Sequence, residues 1–78
     1  MKVLAFGIIK DIFNNTETSI AVKGGDRIDV LKNMLEEKYP RLKELGSYMI
    51  ALNNEYASAN DIINENDEVA IIPPVSGG

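Results

Sequence analysis

Apolar positions recur along the chain with two different periods, and each period predicts an element. Lys2 to Ile9 is β-branched and apolar with Gly7 inside it, which suits a central strand. Phe13-Asn14-Asn15-Thr16 carries turn chemistry, because asparagine tolerates left-handed backbone and bonds its own main chain. From Glu17 to Lys23 the pattern alternates, with Thr18, Ile20 and Val22 on one face and Glu17, Ser19, Ala21 and Lys23 on the other. That is a half-buried strand, so residues 2 to 23 read as a hairpin. Gly24-Gly25 ends the alternation, and Asp26 is suited to cap a helix, with Asp29 three residues on. The period then changes. Ile28, Leu31, Leu35 and Tyr39 share one helical face with Met34 beside them, and Pro40 stops the helix near Lys38.

Tyr48 to Leu52 reads as the next strand, entered after Gly46 and left at Asn53-Asn54. Glu55 to Ile63 is weakly patterned, with a short edge strand expected around Tyr56. Asn66-Asp67 marks a turn, and Glu68 to Ile72 is an apolar last strand. Pro73-Pro74 ends it, because proline cannot donate to a ladder. One helix cannot cover both faces of a sheet. The elements therefore predict an α+β fold, with a single sheet of four to five strands and one main helix packed on one face. Their order resembles the ubiquitin-like β-grasp. Its mixed sheet sets the first and last strands side by side, parallel, in the middle. Residues 1–74 are expected to form this domain, and residues 75–78 a flexible tail.

Composition narrows the chemistry. A chain of 78 residues buries only about 60% of the surface that it exposes when unfolded, so there is one core and no room for a second. At 45% hydrophobic and 26% charged it is too apolar to be disordered. The net charge of −4 argues against nucleic acid, where affinity comes from Lys and Arg on phosphates. With neither cysteine nor histidine, disulfides, the usual zinc sites, thiol nucleophiles and imidazole bases are excluded. No apolar run approaches the ~20 residues of a membrane span. The opening MKVLAFGIIKD is followed by no small-residue cleavage site. A cytoplasmic protein without membrane contact is the expectation. Glu36-Glu37, and Glu65 with Asp67 and Glu68, are expected to be solvated surface.

The chemistry concentrates at the end of the chain. A closing Gly-Gly has chance odds of about 0.5%, taking glycine at about 7% of residues, so it calls for an account. Glycine has no Cβ, and two in a row let a backbone enter a narrow slot and present its carboxylate. Pro73 and Pro74 hold the exit extended, which lowers the ordering cost of docking. A bare carboxylate is a poor acyl donor until a leaving group is attached, usually by ATP. The remaining glycines, Gly7, Gly24, Gly25 and Gly46, form no phosphate-binding loop. Gly78 must then be activated by another protein, and this chain is read as a carrier.

The ending D-E-V-A-I-I-P-P-V-S-G-G resembles that of the molybdopterin synthase small subunits. So do the K-V-L-x-F opening, the helix closing on K-Y-P, and the A-L-N-N segment before the last strand. The chain departs from that family's pattern in having Asn66-Asp67 where Gly-Asp is frequent, and Ile71-Ile72 where aromatic residues often precede the prolines. The resemblance implies that the terminal glycine is adenylated by a ubiquitin-activating-like enzyme and then converted to a thiocarboxylate. Its sulfur would go to cyclic pyranopterin monophosphate, building the molybdopterin dithiolene. It also implies a heterotetramer with a large catalytic subunit. Gly78 would carry the sulfur, Gly77 would give access, and no cofactor would be bound by this chain, the ATP being used by the activating enzyme. Alone, the chain would not be catalytic.

A docking surface is expected next to the tail. If Val69 and Ile71 face the helix, Ile72 points outward, where Phe6 of the neighbouring strand can join it. Phe6, Ile72, Pro73, Pro74, Val75 and Ser76 are the expected partner contacts. Three other readings share the Gly-Gly end or the fold. These are a sulfur carrier for thiamine or tRNA thiolation, a protein modifier joined to lysines through Gly78, and a binding module without terminal chemistry.

Overall fold

The computed structural model describes residues 1–74; the expected tail, Val75-Ser76-Gly77-Gly78, lies outside the described residues. Five strands form one mixed sheet: β1 (Lys2–Ala5), β2 (Glu17–Ser19), β3 (Met49–Leu52), β4 (Glu55–Tyr56) and β5 (Val69–Ile72), in the order β2-β1-β5-β3-β4. β1 and β5 are parallel and lie in the middle, as expected for a ubiquitin-like β-grasp. The main helix, α2 (Ile28–Lys38), packs on one face with two short helices, α1 (Ile9–Phe13) and α3 (Arg41–Leu45).

Burial follows the two periods. Thr18, Ile20 and Val22 are buried from the β2 side, and Ile28, Leu31 and Leu35 from α2. They meet Val3, Ile9, Leu42, Ile50, Ile63, Val69 and Ile71 in a single core. Thr18 brings a hydroxyl into this core and does not leave it unpaired, since its Oγ1 lies 2.7 Å from the Tyr39 hydroxyl and accepts from Lys38 Nζ at 3.0 Å. The Tyr39 ring stacks on Phe13 with centroids 4.4 Å apart. The end of α2 is thereby tied to β2 and α1, which gives the Lys38-Tyr39-Pro40 sequence its structural task.

Four expectations need correction. The first strand ends at Ala5 and not at Ile9. Gly7 turns the chain at a φ of 54°, and Ile9, Ile12 and Phe13 are buried from the short helix that follows. A short apolar run does not distinguish a strand from a buried helix, and here the helical spacing won. β1 and β2 do pair antiparallel, Val3 opposite Thr18, but through α1 rather than a tight turn, and β2 ends at Ser19 rather than Lys23. Asn14 keeps its left-handed role as the residue ending α1, at a φ of 55°.

The second correction concerns Asp26. The residue before α2 is the extended Arg27, without a side-chain cap, and Asp26 Oδ2 instead accepts the Lys23 N–H at 3.0 Å. The first turn of α2 is capped by distant backbone. Ile28 N–H donates to the Asp61 carbonyl and Asp29 N–H to that of Ala59, both at 3.0 Å. Gly25 and Ile63 complete the clasp, with Gly25 N–H on the Ile63 carbonyl and Ile63 N–H on that of Asp26. The weakly patterned stretch is thus the cap of the main helix, satisfying N–H groups that every helix start leaves open.

Third, α3 was absent from the expected elements. Pro40, already in helical backbone, ends α2 and starts five more helical residues that bury Leu42. Fourth, not every carboxylate is merely solvated. Glu36 accepts the Tyr48 hydroxyl, joining α2 to the approach of β3. Burial first, and then this carboxylate, push the Tyr48 phenol above its usual range. The remaining departure, Asn66, costs nothing. Among the described residues, the positive-φ residues other than glycine are Asn14, Asn53 and Asn54, so the turn before β5 makes no left-handed demand at Asn66.

Candidate functional site

β5 runs between β1 and β3, and its register decides what surrounds the exit. Ala70 lies opposite Leu4 on one side and Ala51 on the other, and Ala51 in turn pairs with Tyr56 of β4. Side chains alternate along β5. Val69 and Ile71 point into the core with no accessible surface, which leaves Ala70 and Ile72 on the face that α2 does not cover. Ile72 therefore points outward, the phase expected for the last strand.

The two alanines shape this face. With only a methyl each, Ala51 and Ala70 form a floor that larger neighbours overtop: Phe6, 46% exposed, Tyr56, 65% exposed, and the half-buried Ile72. The result is a shallow cavity of about 200 Å³ lined by Phe6, Ala51, Tyr56, Ala70, Ile72 and Glu68. Phe6 and Ile72 are brought together as expected. Ala51, Ala70 and Tyr56 were missed; the cross-strand register that gathers them has no signature in the local sequence. Exposed aromatic and aliphatic groups around a floor of small residues can take an apolar protruding group from a partner.

Pro73 and Pro74 follow directly, both half-buried, where the ladder ends. Val75, Ser76, Gly77 and Gly78, expected to contact partners and carry the reactive carboxyl, lie outside the described residues. Among the described residues, no group of three or more acidic side chains is placed to hold a metal ion. No described helix is long and apolar enough to cross a membrane.

At its start, β5 is fixed by a polar clasp. Asn53, in left-handed backbone, donates through Nδ2 to Asp67 Oδ1 and accepts the Glu68 N–H on Oδ1, both at 2.9 Å. Its own N–H donates to the Glu68 carbonyl. Asp67 Oδ2 also accepts the Asn64 N–H at 2.8 Å. The Asn64 amide first, and the Asn53 side chain second, hold the Asp67 carboxyl below its usual range. A carboxylate whose pKa is lower in the folded than in the unfolded chain stabilises the fold above its unfolded value. That contribution is lost as pH falls through the folded value. Asp67→Asn should therefore reduce stability near neutral pH and weaken the acid dependence below about pH 4, measured as urea midpoints across pH. An unchanged acid limb would remove Asp67 from the clasp.

Comparison with known proteins agrees with this geometry. The sequence pattern of the ThiS family matches residues 3–78. The molybdopterin synthase sulfur carrier subunit of Arabidopsis thaliana is 34% identical over 79 residues, spanning 100% of this chain and 82% of that protein. Its counterpart in Dictyostelium discoideum is 38% identical, spanning 99% and 94%. Among solved structures, a chain in the complex of subunits 1 and 2 of the molybdopterin-converting factor of Helicobacter pylori superposes with a TM-score of 0.69. It is 29% identical, covering 99% of this chain and 96% of that one. The small archaeal modifier protein 1 of Methanosarcina acetivorans superposes at 0.75 with 28% identity, covering 99% and 94%.

Proposed function

Because the chain belongs to the ThiS family, we propose that it is the sulfur carrier subunit of a molybdopterin synthase, acting through the terminal carboxyl of Gly78. The observation that carries this reading is the position of β5. It is the central strand of the sheet, it ends beside an uncovered apolar face, and Pro73-Pro74 leads from it straight to Val75-Ser76-Gly77-Gly78. The names of full-length relatives above 30% identity support the same role.

The chemistry balances without any side chain of this protein. An activating enzyme joins the Gly78 carboxylate to AMP from ATP, releasing pyrophosphate. Sulfide from a donor attacks the acyl carbon, the bond to AMP breaks, and a thiocarboxylate is left. That sulfur is a good nucleophile at neutral pH and needs no imidazole to activate it. It attacks a carbon of the pyranopterin substrate held by the large subunit, and the oxygen on that carbon is lost as water. A further water then cleaves the acyl–sulfur bond, leaving the sulfur on the pterin and returning Gly78 to its carboxylate. Phe6, Ile72 and the two prolines hold the partner while Gly77 passes its entrance. The large subunit is the expected partner, as in the two-subunit complex of the Helicobacter protein.

A second reading is favoured by the likeness to the Methanosarcina modifier protein. The same activated Gly78 would then be attacked by a lysine amine, forming an isopeptide bond. One experiment separates the two: capture of the N-terminally tagged chain from its host, with intact mass read under denaturing conditions. The carrier reading predicts a free chain in which sulfur has replaced one oxygen, recovered with a larger non-covalent partner. A ladder of covalent conjugates without the sulfur-bearing chain would transfer the case to the modifier reading.

A further inference from the structure

The chain does not leave β5 unguided. Ile72 is its last paired residue, opposite Met49, so Pro73 is the first position no longer directed by the ladder. Its ring lies on the turn after β1. A Cβ built on Gly7 would stand 2.8 Å from Pro73 Cγ, with Cδ and Cβ of the same ring at 3.7 and 3.8 Å. The first distance is shorter than carbon atoms pack. Two separate demands thus fall on residue 7, a backbone φ of 54° and an empty space on the side of Pro73.

The turn itself has little room to yield. Ile9 N–H donates to the Phe6 carbonyl at 3.0 Å and Lys10 N–H to the Gly7 carbonyl at 3.1 Å. On its two sides are Ala5, within the sheet, and Ile9, wholly buried. A side chain at position 7 would therefore displace the proline ring rather than the turn. We propose that Gly7 is a positioning residue: the place of its missing side chain is the seat of the Pro73 ring, and this seat sets the direction in which the chain leaves toward its reacting end. The proposal rests on the carrier reading for its consequence, though not for its geometry. A seated proline enters the partner with part of its ordering cost already met.

The seat is tested first in the wild-type chain, by nuclear Overhauser contacts between the Gly7 α protons and the Pro73 ring protons. Their absence overturns the seat, whatever the chain carries. Gly7→Asn then fills the space while tolerating positive φ, so its effect reports crowding rather than backbone strain. Assayed by ATP–pyrophosphate exchange with the activating enzyme, this variant should lower kcat by about tenfold with a much smaller change in KM, because the reacting end is misdirected while Phe6 and Ile72, the rest of the docking face, keep their places. A raised KM at unchanged kcat would overturn the positioning role and make residue 7 part of the docking face. Gly7→Asn combined with Pro73→Ala should match Pro73→Ala alone, since the ring that meets the new Cβ is gone. A further drop in the double variant would overturn the route through Pro73. Failure of the wild-type chain to support exchange would count against the carrier reading itself, with the proton contacts still deciding the seat.

Discussion

A chain lacking Gly78 is expected to fold like the full chain and to take up no sulfur. The fold survives because the core runs from Val3 to Ile71 and the last ladder pair ends at Ile72. The chemistry fails because the terminal carboxylate retracts by one residue, about 3.5 Å along an extended backbone. A misplacement of about 1 Å can already cost a hundredfold where a reacting group must meet its partner atom, so several ångströms leave only background. Thermal unfolding of both chains checks the first half. Intact mass after incubation with the activating enzyme, ATP and a sulfur donor checks the second. Sulfur uptake by the shortened chain at the full rate would end the case for Gly78 as the carrier group.

The next largest effect is expected at the uncovered sheet face. Ile72→Asp or Phe6→Asp puts a charge where the partner is expected to exclude water, and a buried carboxylate without a partner is costly. Affinity for the large subunit should fall by about a hundredfold, which corresponds to about 3 kcal/mol. Both side chains are at least partly exposed in the free chain, so its own stability should change little. Asn33→Asp is the control, placing the same charge change on an exposed position of α2. Calorimetric titration should show that control binding like the wild type. Equal losses for Ile72→Asp and Asn33→Asp would mean that overall charge, and not the sheet face, governs binding.

What could be read from the sequence, and what could not, divides along a physical line. Ile28, Leu31 and Leu35 announce α2 because a helix buries residues at its own period; the alternation of Thr18, Ile20 and Val22 gives the buried face correctly, although the strand itself stops at Ser19. The phase of β5 follows from alternation, so Ile72 could be assigned to the outer face. Phe6, by contrast, lies one residue past the end of β1, and its nearness to Ile72 depends on the parallel register of Ala5 with Ile71. The cap of α2 was unreadable because the Ala59 and Asp61 carbonyls that supply it belong to the backbone, which all residues share. Asp26, the obvious side-chain cap, was drawn away to Lys23. The short α1 and α3 were hidden for another reason: each is five residues, too few for a period to be recognised. Of the site, the sequence displayed two walls, Phe6 and Ile72, but not the third, Tyr56, which reaches the site only through its pairing with Ala51. It concealed the floor, since Ala51 and Ala70 look unremarkable until the strands are set side by side.

The position of β5 also bears on how the sheet is assembled. β1 and β3 do not touch; β5, the last strand in the chain, joins them on both sides. Without residues 69–72 in place, the β1–β2 and β3–β4 pairs are therefore two half-sheets with no seam between them. Pairing between distant parts of a chain is slow to begin. The apolar face around Ala70 and Ile72 is assembled by that same event. A chain in which β5 has not yet joined the sheet thus lacks the surface a partner would recognise.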